Sequence, residues 1–346
     1  MYVSLYYIVL TINIINNVHD VYSTSIKNDD KGFQQVLKYL QKYGYLEDEE
    51  GRDLDQSAIS TIFEEDALFT NGITKLKEFF NLPLNTGSNI DENILELIKK
   101  DRCGMPDISR EFNIRSKWHN VKHLKWHWYY HKKVNKLILD VTRRAFKIWE
   151  KHANITFSES TTGYNILISF GSDQHLNHLS ATKCGYSFDK KGGVLAHAYF
   201  PSKFDIVKEI HIDEDENWSF DLENVPQDAT SLLAVLTHEI GHVLGLDHSS
   251  QENSIMNPFY SYSNDGNLSD YDLNEDDILG IQSLYGKREE KITKNLNIET
   301  TPMHASTSLY PTGSTATSKL PPIIHATETV NPKIEIMIAI LLEILN

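Results

Sequence analysis

Three histidines and a glutamate with the spacing of a zinc site lie within eleven consecutive residues of this chain. His238 and His242 are four apart, so on a helix they lie on one face. Neutral imidazoles are zinc ligands, and Glu239 between them can act as a general base on zinc-bound water. Gly245 can take a left-handed conformation that ends the helix, so the chain can turn back and bring His248 onto the same metal. Three histidine ligands leave a fourth position open for water, which predicts a catalytic zinc.

This stretch requires a helix that begins before His238. Apolar residues recur ahead of it, and Asp228 or Thr230 can cap its start. The full spacing, H-E-x-x-H-x-x-G-x-x-H, resembles the metzincin signature, which continues into a Met turn. Residues 254–258 resemble that turn, and the resemblance implies that Met256 forms a hydrophobic floor beneath the zinc histidines.

A thiol lies about 135 residues upstream, in the segment 101–107 with the sequence DRCGMPD. A thiolate is a strong zinc ligand, and Cys103 held over the open position would displace the water and block hydrolysis. Gly104 lets the backbone approach the metal, and Arg102 can pair with Asp107. The alternative is a disulfide between Cys103 and Cys184 in an oxidising compartment.

Both motifs together resemble the matrix metalloproteinases, or matrixins, which are metzincin zinc endopeptidases. The resemblance covers about residues 33–286, and no hemopexin-like propeller fits in the roughly 60 residues that follow. It implies an α+β fold, with a small helical propeptide followed by a metzincin catalytic domain. That domain is expected to hold a twisted, mostly parallel five-stranded sheet and three helices.

Five segments are predicted along the chain. They are a signal peptide (1–23), a helical propeptide ending in the cysteine segment (24–107), an activation linker (108–118), a zinc metalloproteinase catalytic domain (119–287) and a Ser/Thr/Pro-rich tail with a short apolar C-terminus (288–346). The residue pattern predicts three helices between 33 and 100, a first strand over 121–130 and a long helix over 134–152. In the long helix, Leu137 and Val141 are among the residues expected to face the core.

The resemblance also implies a structural zinc held by His175, Asn177, His197 and His211. Asn177 stands where the family has an aspartate, and His178 or Asp173 could substitute for it. The spacing from His175 to His197 exceeds the usual loop, and a cysteine lies in the extra length. Unrelated surface histidines are the alternative interpretation.

Calcium is expected from the carboxylates that align with the family's ligands. The implied residues are Asp189, Asp213, Glu214 and Glu216 through their side chains, with Lys190, Gly192 and Val194 offering carbonyls. A solvated acidic loop is the alternative.

The composition of the chain limits the kinds of partner that the protein can bind. The formal charge of −15 argues against a nucleic-acid partner and suits cation binding, and only two cysteines exclude a disulfide-stapled scaffold. The apolar run after Met1 resembles a secretory signal and is shorter than the roughly 20 residues of a membrane span. Residues 334–345 are either a GPI-attachment signal, which would place the protein at the cell surface, or a simple amphipathic end.

The expected function is that of a secreted, latent endopeptidase. It would hydrolyse extracellular matrix or other extracellular proteins, collagen included, after an activating protease cuts the chain. Tissue inhibitor proteins are further partners that the resemblance implies. The alternative is an inactive metzincin-fold binding protein.

Overall fold

The computed structural model describes residues 31–46, 62, 67–84, 89–108, 117–129, 134–202, 207–221, 224–260 and 267–289. The expected signal peptide, most of the activation linker and the tail beyond 289 lie outside these residues, so the predictions made for them stay predictions. Among the described residues, no helix has both the length and the apolar character needed to cross a membrane.

The first described segments build a helical unit with its own core. Its helices are α1 (Lys31–Lys42), α2 (Ala67–Phe79) and α3 (Glu92–Leu97), as the periodicity predicts. Asp91 caps α3, since its carboxylate accepts a hydrogen bond from the Ile94 amide at 3.2 Å. The fully buried apolar side chains of this core include Val36, Leu40, Tyr45, Phe69, Ile73, Leu76 and Ile94. The unit therefore packs as a small bundle.

A six-stranded sheet organises the rest. Its strands are β1 (Arg102–Cys103), β2 (His123–Trp128), β3 (Thr156–Glu159), β4 (Ile166–Gly171), β5 (Val194–Ala198) and β6 (Lys208–Asp213), in the order β1-β5-β6-β4-β2-β3. Among the strand pairs that the described residues form in this sheet, only β5–β6 is antiparallel. Five strands were expected, and the sixth is the cysteine segment itself, which pairs in parallel with β5 at the sheet edge. A two-residue strand has too few side chains to show a periodic pattern.

The described part of the catalytic region contains three helices, as expected: α4 (Lys136–His152), α5 (Leu232–Val243) and α6 (Glu275–Tyr285). A short parallel pair, β7 (Trp218–Ser219) with β8 (Thr230–Ser231), leads into α5. Trp149 on α4 is fully buried and donates its indole N–H to the Thr237 carbonyl on α5 at 2.8 Å. This hydrogen bond fixes the catalytic helix against the long helix.

The prediction for Leu137 is wrong, because its side chain is 59% exposed. Asn135 caps α4, which begins at Lys136. Ile138 is the first residue of the helix whose side chain faces the core, and Leu137 beside it does not. Val141 is buried as predicted.

Candidate active site and metal clusters

Helix α5 carries the zinc motif and is buried along its whole length. Its N-cap is Ser231 rather than Asp228 or Thr230, since the Ser231 hydroxyl accepts from the Ala234 amide at 3.3 Å. Gly245 ends the helical segment with φ of 101°, the left-handed region predicted for it. The turn lets His248 reach the two helical histidines.

The three histidines have their outer ring nitrogens held by acceptors. The Nδ1 atoms of His238 and His242 lie 2.7 and 2.8 Å from the carbonyls of Ile255 and Leu246. His248 Nδ1 lies 2.8 Å from a carboxylate oxygen of Asp107. With each Nδ1–H donating outward, the Nε2 lone pairs of the neutral rings face inward, and those of His238 and His242 are 3.1 Å apart. Converging lone pairs call for a cation between them.

Cys103 supplies the fourth donor. Its Sγ is 3.5 Å from His242 Nε2, and one donor atom from each of Cys103, His238, His242 and His248 lies within 4.8 Å of all the others. A tetrahedral zinc with ordinary bond lengths has ligand–ligand edges of about 3.4–3.6 Å, so these residues fit the ion. Burial and the nearby Glu239 carboxyl raise the pKa of Cys103. A cation in the cluster is therefore what would hold it as a thiolate.

Glu239 is fully buried beside this cluster, and its Oε1 accepts a hydrogen bond from the Tyr260 hydroxyl at 2.7 Å. Burial raises the pKa of Glu239 to about 8, and the Tyr260 hydrogen bond opposes part of that rise. Sequence reasoning missed Tyr260, although an aromatic pair directly after the Met turn was a readable signal.

A cage of aromatic side chains encloses the Arg102–Asp107 pair that was predicted. Arg102 forms two hydrogen bonds to the Asp107 carboxylate and one to the Tyr39 hydroxyl, and its guanidinium lies 3.4 Å from the centroid of the Tyr43 ring. Tyr45 donates to Asp107 at 2.7 Å. Burial alone would raise the pKa of Asp107, but the Arg102 charge and the hydrogen bond from His248 outweigh it and lower that pKa. The carboxylate therefore stays ionised in the interior.

The Met turn lies beneath the histidines, where the resemblance puts it. A Cβ atom built on Gly241 would lie 2.2 Å from Met256 Sδ, so the methionine packs directly against the helix backbone. Buried Asp277 at the start of α6 accepts hydrogen bonds from the Ile255 and Met256 amides and from the Ser254 hydroxyl, at 2.8, 3.1 and 2.6 Å. Asp277 is a supporting residue that the sequence motifs did not indicate.

The second histidine cluster differs from the predicted ligand set. His175, His197 and His211 do converge, but the fourth donor atom among them is the sulfur of Cys184. Asn177 is occupied otherwise, because its Oδ1 accepts from the Tyr199 hydroxyl at 2.9 Å.

Neither of the two substitutes for Asn177 belongs to that cluster. His178 stacks on Tyr129 with ring centroids 3.9 Å apart, and Asp173 faces His175 through its backbone carbonyl. The longer loop brings the thiol of Cys184 beside the three histidines, and Asn177 as a metal ligand stays a prediction.

Several of the residues expected for calcium lie together. Asp189 accepts from the Val194 amide at 2.9 Å, and Glu216 accepts from the Gly192 amide. Asp213 is fully buried, its Oδ2 has no hydrogen-bond partner among the described residues, and burial with nearby Asp189 and Glu216 raises its pKa to about 7. Such a carboxylate requires a proton or a cation.

Two more residues expected at this site are described. Lys190 has φ of 74° in the connecting turn, and the Glu214 amide donates to the Gly171 carbonyl at 2.8 Å.

A helix with an HExxH pair, a third histidine after a glycine turn and a Met turn define a metallopeptidase catalytic domain of the metzincin class. Residues 117–286 match the matrixin family. The chain is 34% identical over 274 residues to matrix metalloproteinase-16 of Rattus norvegicus, covering 72% of this chain and 41% of the relative. It is 33% identical over 304 residues to stromelysin-1 of Mus musculus, covering 84% of this chain and 58% of the relative.

The chain thus belongs to the matrixin family through a matrix metalloproteinase catalytic domain, and this domain is a zinc metalloendopeptidase by class. The matched region spans between 41% and 58% of the length of these relatives.

Proposed function

We propose that this chain is a secreted, latent zinc endopeptidase that cleaves extracellular proteins after its propeptide is removed. The observation that carries the proposal is the Cys103 sulfur at 3.5 Å from His242 Nε2, in the position that water would need. The free state of both cysteines supports a latch rather than a Cys103–Cys184 disulfide.

Latency would act at the peptide-binding edge as well as at the metal. The Arg102 amide donates to the Gly193 carbonyl at 2.7 Å, the Gly104 amide to the Ala196 carbonyl at 2.8 Å, and the Cys103 amide to the Pro258 carbonyl at 2.9 Å. An extended substrate would pair with this same β5 edge. Propeptide and substrate therefore exclude each other.

The chemistry rests on residues that removal of the propeptide would uncover. The three histidines would hold a zinc ion, which would supply Lewis acidity for the scissile carbonyl and lower the pKa of the attacking water. Glu239 accepts the proton from the water and returns it to the leaving amine. Loss of residues 101–108 admits solvent to the Glu239 carboxyl, which relieves the burial that raises its pKa and favours the basic form. Tyr260 holds one oxygen of that carboxyl and leaves the other for the proton.

Calcium and a second zinc are further parts of the proposal. The buried Asp213 oxygen without a partner supports a cation beside Asp189 and Glu216, which hard oxygen ligands would bind as calcium. The histidines of the second cluster support a structural zinc. Both ions would stabilise the loops that lead into β5 and follow β6.

The proposal also includes properties taken from the family. They are secretion, an activating cut between 108 and 118, cleavage of matrix proteins such as collagen, and control by tissue inhibitor proteins. A GPI anchor at the C-terminus belongs to it as well, with a free C-terminus as the other outcome. The rival function, an inactive binding module, is disfavoured because His238, Glu239, His242 and His248 remain together.

Cleavage of a quenched extracellular-matrix peptide by the full chain tests the proposal. We expect little cleavage without a mercurial, strong cleavage with it, and loss of the gained activity when a chelator removes the metal. Equal activity of the full chain with and without the mercurial would contradict the latch. No cleavage in either sample, with zinc bound, would favour the binding module.

A further inference from the structure

The second histidine cluster is built from the catalytic domain alone. His175 and Cys184 lie at the two ends of one loop, closed by a hydrogen bond from the Cys184 amide to the His175 carbonyl at 3.0 Å. His197 lies on β5 and His211 on the neighbouring strand β6, directly opposite each other in the sheet register. None of these four residues comes from the propeptide.

Hydrogen bonds on the far side of two rings determine which nitrogen faces inward. His175 Nδ1 lies 3.1 Å from the Asp173 carbonyl, and His211 Nε2 lies 3.0 Å from a Glu209 carboxylate oxygen. When these outer nitrogens carry the N–H protons, His175 Nε2 and His211 Nδ1 present lone pairs at 2.9 Å from each other. His211 is buried and His175 is half-buried, and two lone pairs at that distance repel unless a cation lies between them.

The sulfur of Cys184 faces the same point. It is 3.2 Å from His197 Nε2 and 3.6 Å from His211 Nδ1, and the four donor atoms lie within 4.8 Å of one another. Only 3% of Cys184 is exposed, so the thiol does not face solvent. One thiolate and three imidazoles form a tetrahedral donor set that suits zinc.

Asn177 and Tyr199 lie just outside the donor atoms. The Tyr199 hydroxyl is 3.1 Å from Cys184 Sγ and donates to Asn177 Oδ1, while Asn177 Nδ2 donates to the Thr182 hydroxyl at 3.3 Å. Asn177 thus holds the tyrosine and the loop that carries the cysteine. Its role is that of a positioning residue.

We propose that Cys184 is the fourth ligand of a second zinc site with His175, His197 and His211, and that this thiolate site persists after the propeptide has left. The inference deepens the proposed zinc dependence and rests on it for the identity of the metal. The protein would then hold two zinc ions in its latent form, each with one thiolate and three histidines.

Cobalt substitution distinguishes the two thiolates. The full chain carrying Glu239→Ala, which removes self-cleavage, would be loaded with Co²⁺ alone, and thiolate-to-cobalt charge transfer would be read by near-ultraviolet absorption. Cys103→Ser, Cys184→Ser and the double variant would be compared in that background. We expect each single variant to keep one thiolate contribution and the double variant to have none. A Cys103→Ser chain that binds cobalt without any thiolate absorption would overturn the proposal.

Two further variants keep the test decisive if Cys184→Ser folds poorly. Cys184→Asp should retain two zinc ions per chain after dialysis, because a carboxylate can ligate zinc, but should lose the Cys184 absorption. Asn177→Ala should keep the Cys184 absorption but bind the second zinc more weakly, because Asn177 positions the loop without ligating the metal. Loss of one zinc in Asn177→Ala with its retention in Cys184→Ser would reject Cys184 in favour of Asn177.

Peptide cleavage is measured separately, on the chain with Glu239 intact. A chain that fails to cleave peptides but shows the Cys184 absorption would reject the proposed function and leave the second site standing.

Discussion

The two histidine clusters of this protein present the same candidate metal donors, three histidines and one cysteine, but the cysteines belong to different parts of the chain. Cys103 lies on β1, in a segment that follows the helical unit with its separate core. Cys184 lies within the catalytic domain, in a loop closed by a bridge between Leu176 and Lys183.

The clusters also differ in the carboxylates beside them. Glu239 lies next to the first cluster, held through one oxygen by Tyr260. Glu209 is bound at the second cluster by His211 and by the amides of His178 and Leu179, so both of its oxygens have partners. The second cluster therefore offers no free base. Under the proposals above, the same donor set would serve as a removable inhibitor in the first cluster and as a permanent support in the second.

Replacing each cysteine by serine in a separate variant should give the largest difference in peptide cleavage. Cys103→Ser in the full chain should change cleavage of a quenched peptide from barely detectable to readily measurable without any mercurial, because a hydroxyl is a far weaker zinc ligand than a thiolate. Cys184→Ser should stay latent, because Cys103 is untouched. Initial rates of the two variants side by side measure this difference, and a spontaneously active Cys184→Ser chain would refute the separation of roles.

Removing the base should separate catalysis from metal binding. In a chain opened by Cys103→Ser, Glu239→Ala should lower the cleavage rate by about 10²- to 10⁴-fold, the usual contribution of a general base. Zinc content per chain, measured by atomic absorption, should equal that of the parent. Undiminished cleavage would reject Glu239 as the base.

The latch should also depend on its buried ion pair. Arg102→Ala in the Glu239→Ala chain should lower the free energy of unfolding by about 3–5 kcal/mol, because it leaves Asp107 charged and buried. The thiol of Cys103 should react faster with a thiol reagent. Denaturant unfolding and the reaction rate are the measurements.

Arg143→Ala is the matched control, since the Arg143 side chain is 44% exposed and pairs with Asp140 and Glu159 at the surface. This substitution should lower the free energy of unfolding by about 1 kcal/mol or less. Equal losses of unfolding free energy in Arg102→Ala and Arg143→Ala would show that burial of Arg102 in the aromatic cage adds nothing to the stability of its ion pair.

The smallest effect is expected at the second cluster. Glu209→Gln should weaken zinc binding there by about 10- to 100-fold, because Glu209 orients His211. Titration with a chelating dye can follow each site, and the first cluster should bind as before. Equal weakening of both sites would contradict an effect transmitted through His211.

The sequence grouped the three histidines that the structure brings together, because they are close along the chain: two share a helix face and a glycine turn brings the third. The resemblance implied Cys103 at the metal, and the structure places its sulfur with the three histidines. Cys184 was seen to lie in a longer loop, but its approach to His197 and His211 depends on strand pairing, which spacing does not encode. The tyrosines around Arg102 lie some 60 residues upstream of it, and their contact with the cysteine segment required the fold.

The Cys103 segment has a consequence for how activation ends. A cut between 109 and 116 breaks none of the hydrogen bonds that join β1 to β5, or Asp107 to His248. Such a cut instead changes the concentration at which the propeptide acts on the active site. A tethered inhibitor acts at an effective concentration in the millimolar range, whereas a severed one acts at whatever concentration it has in solution. Activation would then be complete only after the released propeptide is diluted. A high concentration of the released propeptide would inhibit the enzyme again.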